Sequence, residues 1–299
     1  MYRYKHLVVG VSLGDGDSTL VDYAELVSFM ARSERVRFVH VRPAAFALGE
    51  PYPEFALPTE EIESEVRERL TALVDGFRGP KETEVGREIV EGAALPELLR
   101  VARDEDADLV VVGKDEDGGT LAEKLARKAP CSVLIVPDEV PARIERVLVP
   151  VDFSDHAADA VDVAVAFAEA AELSEVHVLH VYCVPTSYLK LGKTYEEARE
   201  AWRRHSRERA EAFVDGLDLR GLRPVVHLAE GRDTARTICE TAESLRADLV
   251  MIGTRGRSDA AAVLMGSVAE KTVRGACVPT VAVKRKGSTL SLIDALLEL

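Results

Sequence analysis

The chain has 299 residues, enough for two domains that each bury a core. Apolar residues make up 47% and charged residues 30%, a globular balance, and 52 acids against 38 bases leave a net charge of −14. That excess argues against nucleic acid or an anionic membrane surface as a partner, since both need a basic footprint. No apolar stretch approaches the ~18 residues of a membrane span.

The first apolar run, Leu7–Val11, is too short for the core of a signal peptide and is cut off by Gly14-Asp-Gly-Asp17, so it reads as a first strand and the protein as cytoplasmic. From there the chain repeats itself at an offset of 140. Val9-Gly-Val-Ser12 matches Val149-Pro-Val-Asp152, His40-Val41 matches His180-Val181, and Ala107-Asp-Leu-Val110 matches Ala247-Asp-Leu-Val250. Gly119-Thr120 then matches Gly266-Ser267 at an offset of 147, so the first copy is seven residues shorter, inside its glycine loop. A period this long means tandem domains rather than a solenoid. The joint lies near the proline-flanked segment Pro137–Pro141. The expected division is 1–138, 144–286 and a tail, 287–299, whose Leu292, Ile293, Leu296 and Leu297 form one helical stripe.

In the second copy the apolar runs predict strands over 146–151, 175–181, 223–228, 248–253 and 279–284. They are nearly continuous in Val, Leu and Ile, as strands buried on both faces of a parallel sheet are. Helices are expected over 157–171, with Ser154 as N-cap, and over 195–216, 233–245 and 267–275. Strands alternating with helices predict an α/β fold, with one doubly wound parallel sheet per copy.

Chemistry concentrates at Gly253-Thr254-Arg255-Gly256, which follows the strand 248–253, and at Gly266-Ser267, which opens the last helix. Strand, glycine loop and helix start together suit phosphate: glycines let the backbone approach the anion and unpaired N–H groups point at it. Arg255 and Arg257 add positive charge. If the first and fourth strands are neighbours, Asp152 faces the same crevice, where a carboxylate suits an adenine amino group or a ribose hydroxyl and repels phosphate.

These residues resemble the nucleotide motif of the universal stress protein family, Gly-x2-Gly-x9-Gly-(Ser/Thr), at Gly253, Gly256, Gly266 and Ser267. The family's opening, a strand ending in Val-Pro-Val-Asp-x-Ser, is matched from Val149 through Pro150, Val151 and Asp152 to Ser154, and the resemblance covers residues 3 to 285. It implies a five-stranded sheet of order 3-2-1-4-5 in each copy, related to adenine nucleotide alpha hydrolases. It also implies an ATP site at Pro150, Val151, Asp152, Val181, Gly253, Thr254, Arg255, Gly256, Gly266, Ser267 and Val268, with Mg²⁺ on the phosphates. Single-domain relatives pair through their last strands, and a tandem chain could make that pairing internally, 132–137 against 279–284. That leaves a monomeric pseudo-dimer or a homodimer.

The first copy departs from this pattern. Ser12 stands where the second has Asp152, and Gly113 is followed by Lys114-Asp-Glu-Asp117, acids where phosphates would go. Like charge and a short loop predict a degenerate partner domain, hence one ATP per chain. Gly192-Lys-Thr194 resembles the end of a P-loop but lacks its first glycine and a preceding strand, so it reads as loop. His177 and His180, three apart on a strand, point to opposite faces and cannot share a metal. Cys131, Cys183, Cys239 and Cys277 show no CxxC or zinc spacing and read as buried thiols of a reducing cytoplasm.

The function expected is ATP-dependent regulation in a stress response, through an unknown protein partner. No general base is placed to activate water, so at most slow ATP hydrolysis is expected. The alternatives are an assembly protein of the same fold that ignores nucleotide, and an AMP-forming ligase. The ligases carry Ser-Gly-Gly-x-Asp-Ser where this chain reads Asp152-Phe-Ser-Asp155.

Overall fold

The computed structural model describes residues 3–43, 59–114, 120–256 and 265–284. The chain divides into two compact units, with the second running Ile144–Lys284. Arg257, the acidic positions 115–117, Gly119 and the tail 287–299 lie outside the described residues.

In the first unit the order is β1 His6–Val11, α1 Asp17–Ala31, β2 Arg35–Arg42, α2 Thr59–Asp75, β3 Glu84–Glu91, α3 Ala94–Asp104, β4 Leu109–Gly113, α4 Thr120–Lys128 and β5 Ser132–Val136. In the second it is β6 Val147–Pro150, α5 Asp155–Ala170, β7 Glu175–Tyr182, a 3₁₀ turn Thr186–Leu191, α6 Tyr195–Asp215, β8 Arg223–Glu230, α7 Thr234–Ser244, β9 Leu249–Gly253, α8 Ser267–Arg274 and β10 Thr280–Val283. All strands within each unit pair in parallel, in the order β3-β2-β1-β4-β5 in the first and β8-β7-β6-β9-β10 in the second. Counted within each unit, both are 3-2-1-4-5.

The central strands are dry because helices cover both faces. Val147, Leu148 and Val149 of β6 are fully buried, as are Ala160, Val163 and Ala164 of α5, whose small side chains let the helix lie close to the sheet. The strand expected over 146–151 stops at Pro150, which has no N–H to give to a ladder. Val151 nevertheless still donates to the Leu179 carbonyl at 2.8 Å. β8 runs two residues beyond its expected end at 228, pairing through Tyr182 with Glu230.

The repeat extends to details that residue identity hides. Left-handed backbone occurs at Leu13 and Phe153, at Arg32 and Glu172, and at Asp106 and Arg246, each pair 140 apart. Asp108 accepts from the N–H groups of Lys5 and His6, as Asp248 does from those of Glu145 and Arg146. Such bonds fix where the first strand of each unit enters its sheet.

Candidate functional site

In the second unit β6 lies between β7 and β9, so the chain's windings part on either side of it and open a crevice beyond the strands' carboxyl ends. A cavity of about 280 Å³ sits there. Pro150, Val151 and Asp152 line it from the end of β6, Val181 from β7, Gly253 from the last residue of β9, and Arg255 and Gly256 from the loop that follows. Gly266, Ser267 and Val268 line it from the start of α8. Thr254, expected with them, does not. It is buried, and both its N–H and its hydroxyl donate to the Val283 carbonyl at 3.3 Å, so the side chain turns toward β10. Its carbonyl accepts from Gly266 N–H at 2.7 Å and pins the two halves of the glycine motif together.

Helix α8 begins without a side-chain cap, because its N-cap is Gly266. Its first intrahelical bond is Glu270 N–H to the Gly266 carbonyl at 3.0 Å. The N–H groups of Ser267, Val268 and Ala269 precede that bond, so no intrahelical carbonyl serves them, and all three residues line the cavity. They give it a positive dipole end, and Arg255 lines the cavity beside them.

Asp152 lines the same cavity. One carboxylate oxygen accepts from Ser154 N–H at 3.1 Å and from Ser154 Oγ–H at 2.6 Å. Ser154 Oγ in turn accepts from Ala157 N–H at 3.2 Å and caps α5, so Ser154 is the helix cap that its position predicts. The other carboxylate oxygen would stand 2.7 Å from a Cβ added at Gly256, so the acid is held against the glycine loop. Between them, Phe153 adopts left-handed backbone, φ 69°. Its ring packs on His180 at 4.3 Å and on Phe213 at 5.6 Å, with the Arg209 guanidinium 4.6 Å above it. His180 donates from Nδ1 to the Val151 carbonyl at 2.9 Å and borders the cavity, which gives this strand-end histidine a packing role.

Sequence reasoning missed Ala157, Leu179, His180, Thr234, Ile238, Ile252 and Ala269, which also line the cavity. A signal existed for α7: it follows β8, so its first turn must lie on the carboxyl side of the sheet, and Thr234 and Ile238 are its first-turn and second-turn residues.

The corresponding loop of the first unit is filled from within. Asp17, in the first turn of α1, is buried. Its carboxylate accepts from the N–H groups of Ser12 at 3.2 Å, Gly14 at 3.2 Å and Leu13, and from Ser12 Oγ–H at 3.3 Å. The second unit has Ala157 at the matching position. Where the second unit turns a carboxylate toward its crevice, the first folds one back onto its own loop. β4 still ends as β9 does, with Lys114 N–H donating to the Val136 carbonyl at 2.9 Å.

Gly192 is the left-handed C-cap of the 3₁₀ turn, and Thr194 and Glu197 form a capping box on α6, so the P-loop-like Gly192-Lys-Thr194 is two helix caps back to back. His177 stacks on His227 and not on His180. Among the described residues no group of His, Cys, Asp and Glu could hold a metal ion, and no helix is long and apolar enough to cross a membrane. The cysteines correct an expectation: Cys131 is buried, but Cys183 is exposed and Cys239 and Cys277 are half-buried.

Residues 3–137 and 143–284 each match the Universal stress protein family. A universal stress protein of Thermus aquaticus is 32% identical over 139 residues, 46% of this chain and 97% of that protein. Universal stress protein MJ0531 of Methanocaldococcus jannaschii is 28% identical over 142 residues, 47% of this chain and 82% of that protein. The crystal structure of a universal stress protein from Archaeoglobus fulgidus, 18% identical, superimposes with a TM-score of 0.61 over 95% of this chain and 98% of that one, a likeness of fold. Matched twice, once in each half, the chain belongs to the universal stress protein family as a tandem, two-domain member.

Proposed function

We propose that the chain binds one ATP, in the crevice of its second domain, and acts as a nucleotide-responsive regulator of a partner protein in a stress response. The observation that carries this reading is that an uncapped helix start at Gly266 and the Asp152 carboxylate line one cavity. A positive end suits phosphates and a fixed acceptor suits an adenine amino group or a ribose hydroxyl. A simple connecting loop needs neither. The N–H groups of Ser267, Val268 and Ala269, with Arg255, hold the phosphates, and Val151 and Val181 flank the base. Mg²⁺ is carried by the phosphates and water rather than by a cage of side chains, which is its usual habit with nucleotides.

The first domain takes no ATP in this reading, because Ser12 stands where the second domain has Asp152 and the acids 115–117 follow Gly113 where phosphates would go. Binding in the second domain stabilises the folded chain by mass action and selects one arrangement of the loops around the cavity, which a partner can read. Protein purified without added nucleotide, then denatured and filtered, should release adenine nucleotide at up to one equivalent per chain. Release of none, together with no binding on titration, would instead favour an assembly protein that has kept the fold and abandoned the ligand.

A further inference from the structure

Helix α7 carries Cys239 where it meets the C-terminal end of α8. The Cys239 thiol donates to the Gly275 carbonyl at 3.5 Å, a carbonyl that the end of α8 leaves over. Two residues further on, Cys277 turns back, and its thiol donates to the Cys239 carbonyl at 3.9 Å. Each sulfur is thus held against the other's segment, although the residues are 38 apart in sequence. A Cβ built on Gly275 would stand 3.7 Å from the Cys239 sulfur, a measure of how closely the turn approaches the helix. Both thiols are half-buried. The neighbouring Cys239 sulfur, then burial, pushes the Cys277 thiol up, so Cys277 keeps its proton and donates it toward Cys239.

We propose that Cys239 and Cys277 form a hydroperoxide-sensitive dithiol, which closes to an intramolecular disulfide tying α7 to the turn between α8 and β10. The Cys239 thiol attacks one peroxide oxygen and gives up its proton, the O–O bond breaks, and the other oxygen leaves with that proton as alcohol or water. The Cys239 sulfenic acid is then attacked by the Cys277 sulfur, which forms the S–S bond and releases the sulfenic oxygen as water. Two thiols and one hydroperoxide give one disulfide, one alcohol and one water, and the two electrons lost by sulfur reduce the O–O bond. Thr234 and Ile238 precede Cys239 on α7, and Ser267 opens α8, so the bond staples together two helices that wall the cavity.

The test is independent of nucleotide. Reduced full-length chain, unsubstituted and as Cys183→Ser, is treated with one equivalent of hydrogen peroxide. Remaining thiols are alkylated with N-ethylmaleimide, and the protein is digested without reductant. Both proteins should yield a linked peptide pair containing Cys239 and Cys277, from a species that runs as a single chain on a non-reducing denaturing gel. Dithiothreitol should restore both thiols. Cys277→Ser should give no linked peptide and leave a Cys239 sulfenic acid that dimedone traps. Recovery of Cys239 and Cys277 in alkylated form, or their linkage only between chains, overturns the proposal.

Discussion

A Cβ added at Gly253 would stand 2.5 Å from the His156 carbonyl, a backbone atom of the first turn of α5. Glycine there serves packing, and Gly253→Ala should destabilise the domain by about 1–3 kcal/mol, measured by urea denaturation, with or without ligand. At Gly256 the clash would be with the Asp152 carboxylate at 2.7 Å, a side chain that can move, so glycine there serves the seating of the acid. Gly266 differs from both. Its backbone is extended, φ −72° and ψ 147°, and the nearest atom to an added Cβ is the Thr254 carbonyl at 3.7 Å, an ordinary contact. Neither strain nor packing requires glycine at 266, whereas the proposed close approach of a ligand does. Gly266→Ala should therefore leave stability within about 0.5 kcal/mol of the parent while weakening ATP binding by about tenfold or more, roughly 1.4 kcal/mol. Gly266→Glu should abolish binding without unfolding the chain. Asp152→Ala should weaken ATP by about 1–3 kcal/mol in calorimetric titration. Unchanged affinity in Gly266→Glu would remove the phosphates from this loop.

At the scale of elements, the pairing of β7 with β8 builds something that residue spacing could not announce. The register sets His177 opposite Val225 and Leu179 opposite His227, so the two imidazoles lie on one face, diagonal neighbours stacked at 5.1 Å with ring nitrogens 2.8 Å apart. Burial first, and then for His227 the neighbouring imidazole, hold both below their ordinary value of 6.5, while Glu175 pulls His177 partly back. Below that value the unfolded chain binds protons that the folded pair refuses. Stability is therefore greatest above it and falls as pH drops, by up to about 1.4 kcal/mol per pH unit for each proton refused. Thermal unfolding between about pH 7.5 and about pH 5.5 should show this slope, and His227→Phe should flatten it. A slope unchanged in that variant would place the titration elsewhere. The elements themselves were legible: nearly continuous apolar runs gave the strands to within a residue or two, and Ser154 marked the start of α5. What escaped was contact between elements, His177 with His227 and Cys239 with Cys277, because register and crossover geometry decide which side chains meet.

Across the whole chain, one sequence pattern written twice yields two first-strand loops that hold different carboxylates, Asp17 in the first domain and Asp152 in the second. The offset of 140 made the duplication plain, and the missing residues before Gly119 made the asymmetry plain. The reason for that asymmetry was legible only in part. The acids at 115–117 suggested repulsion, but the carboxylate in the loop after β1 is Asp17, which faces an unremarkable Ala157 in the alignment of the copies. Its role appears only once Ser12, Leu13 and Gly14 turn their N–H groups inward. An acceptor buried among donors is costly to remove, so Asp17→Ala should destabilise the first domain by about 1–3 kcal/mol, seen as an earlier unfolding transition. The net charge of −14 also disfavours a bare triphosphate at long range, so binding should tighten with Mg²⁺ and weaken in chelator. The most direct measurement is calorimetric titration of nucleotide-free chain with MgATP. The account predicts a single class of sites at one equivalent per chain, lost in Gly266→Glu and kept in Asp17→Ala. Two equivalents, or one that survives Gly266→Glu, would contradict it.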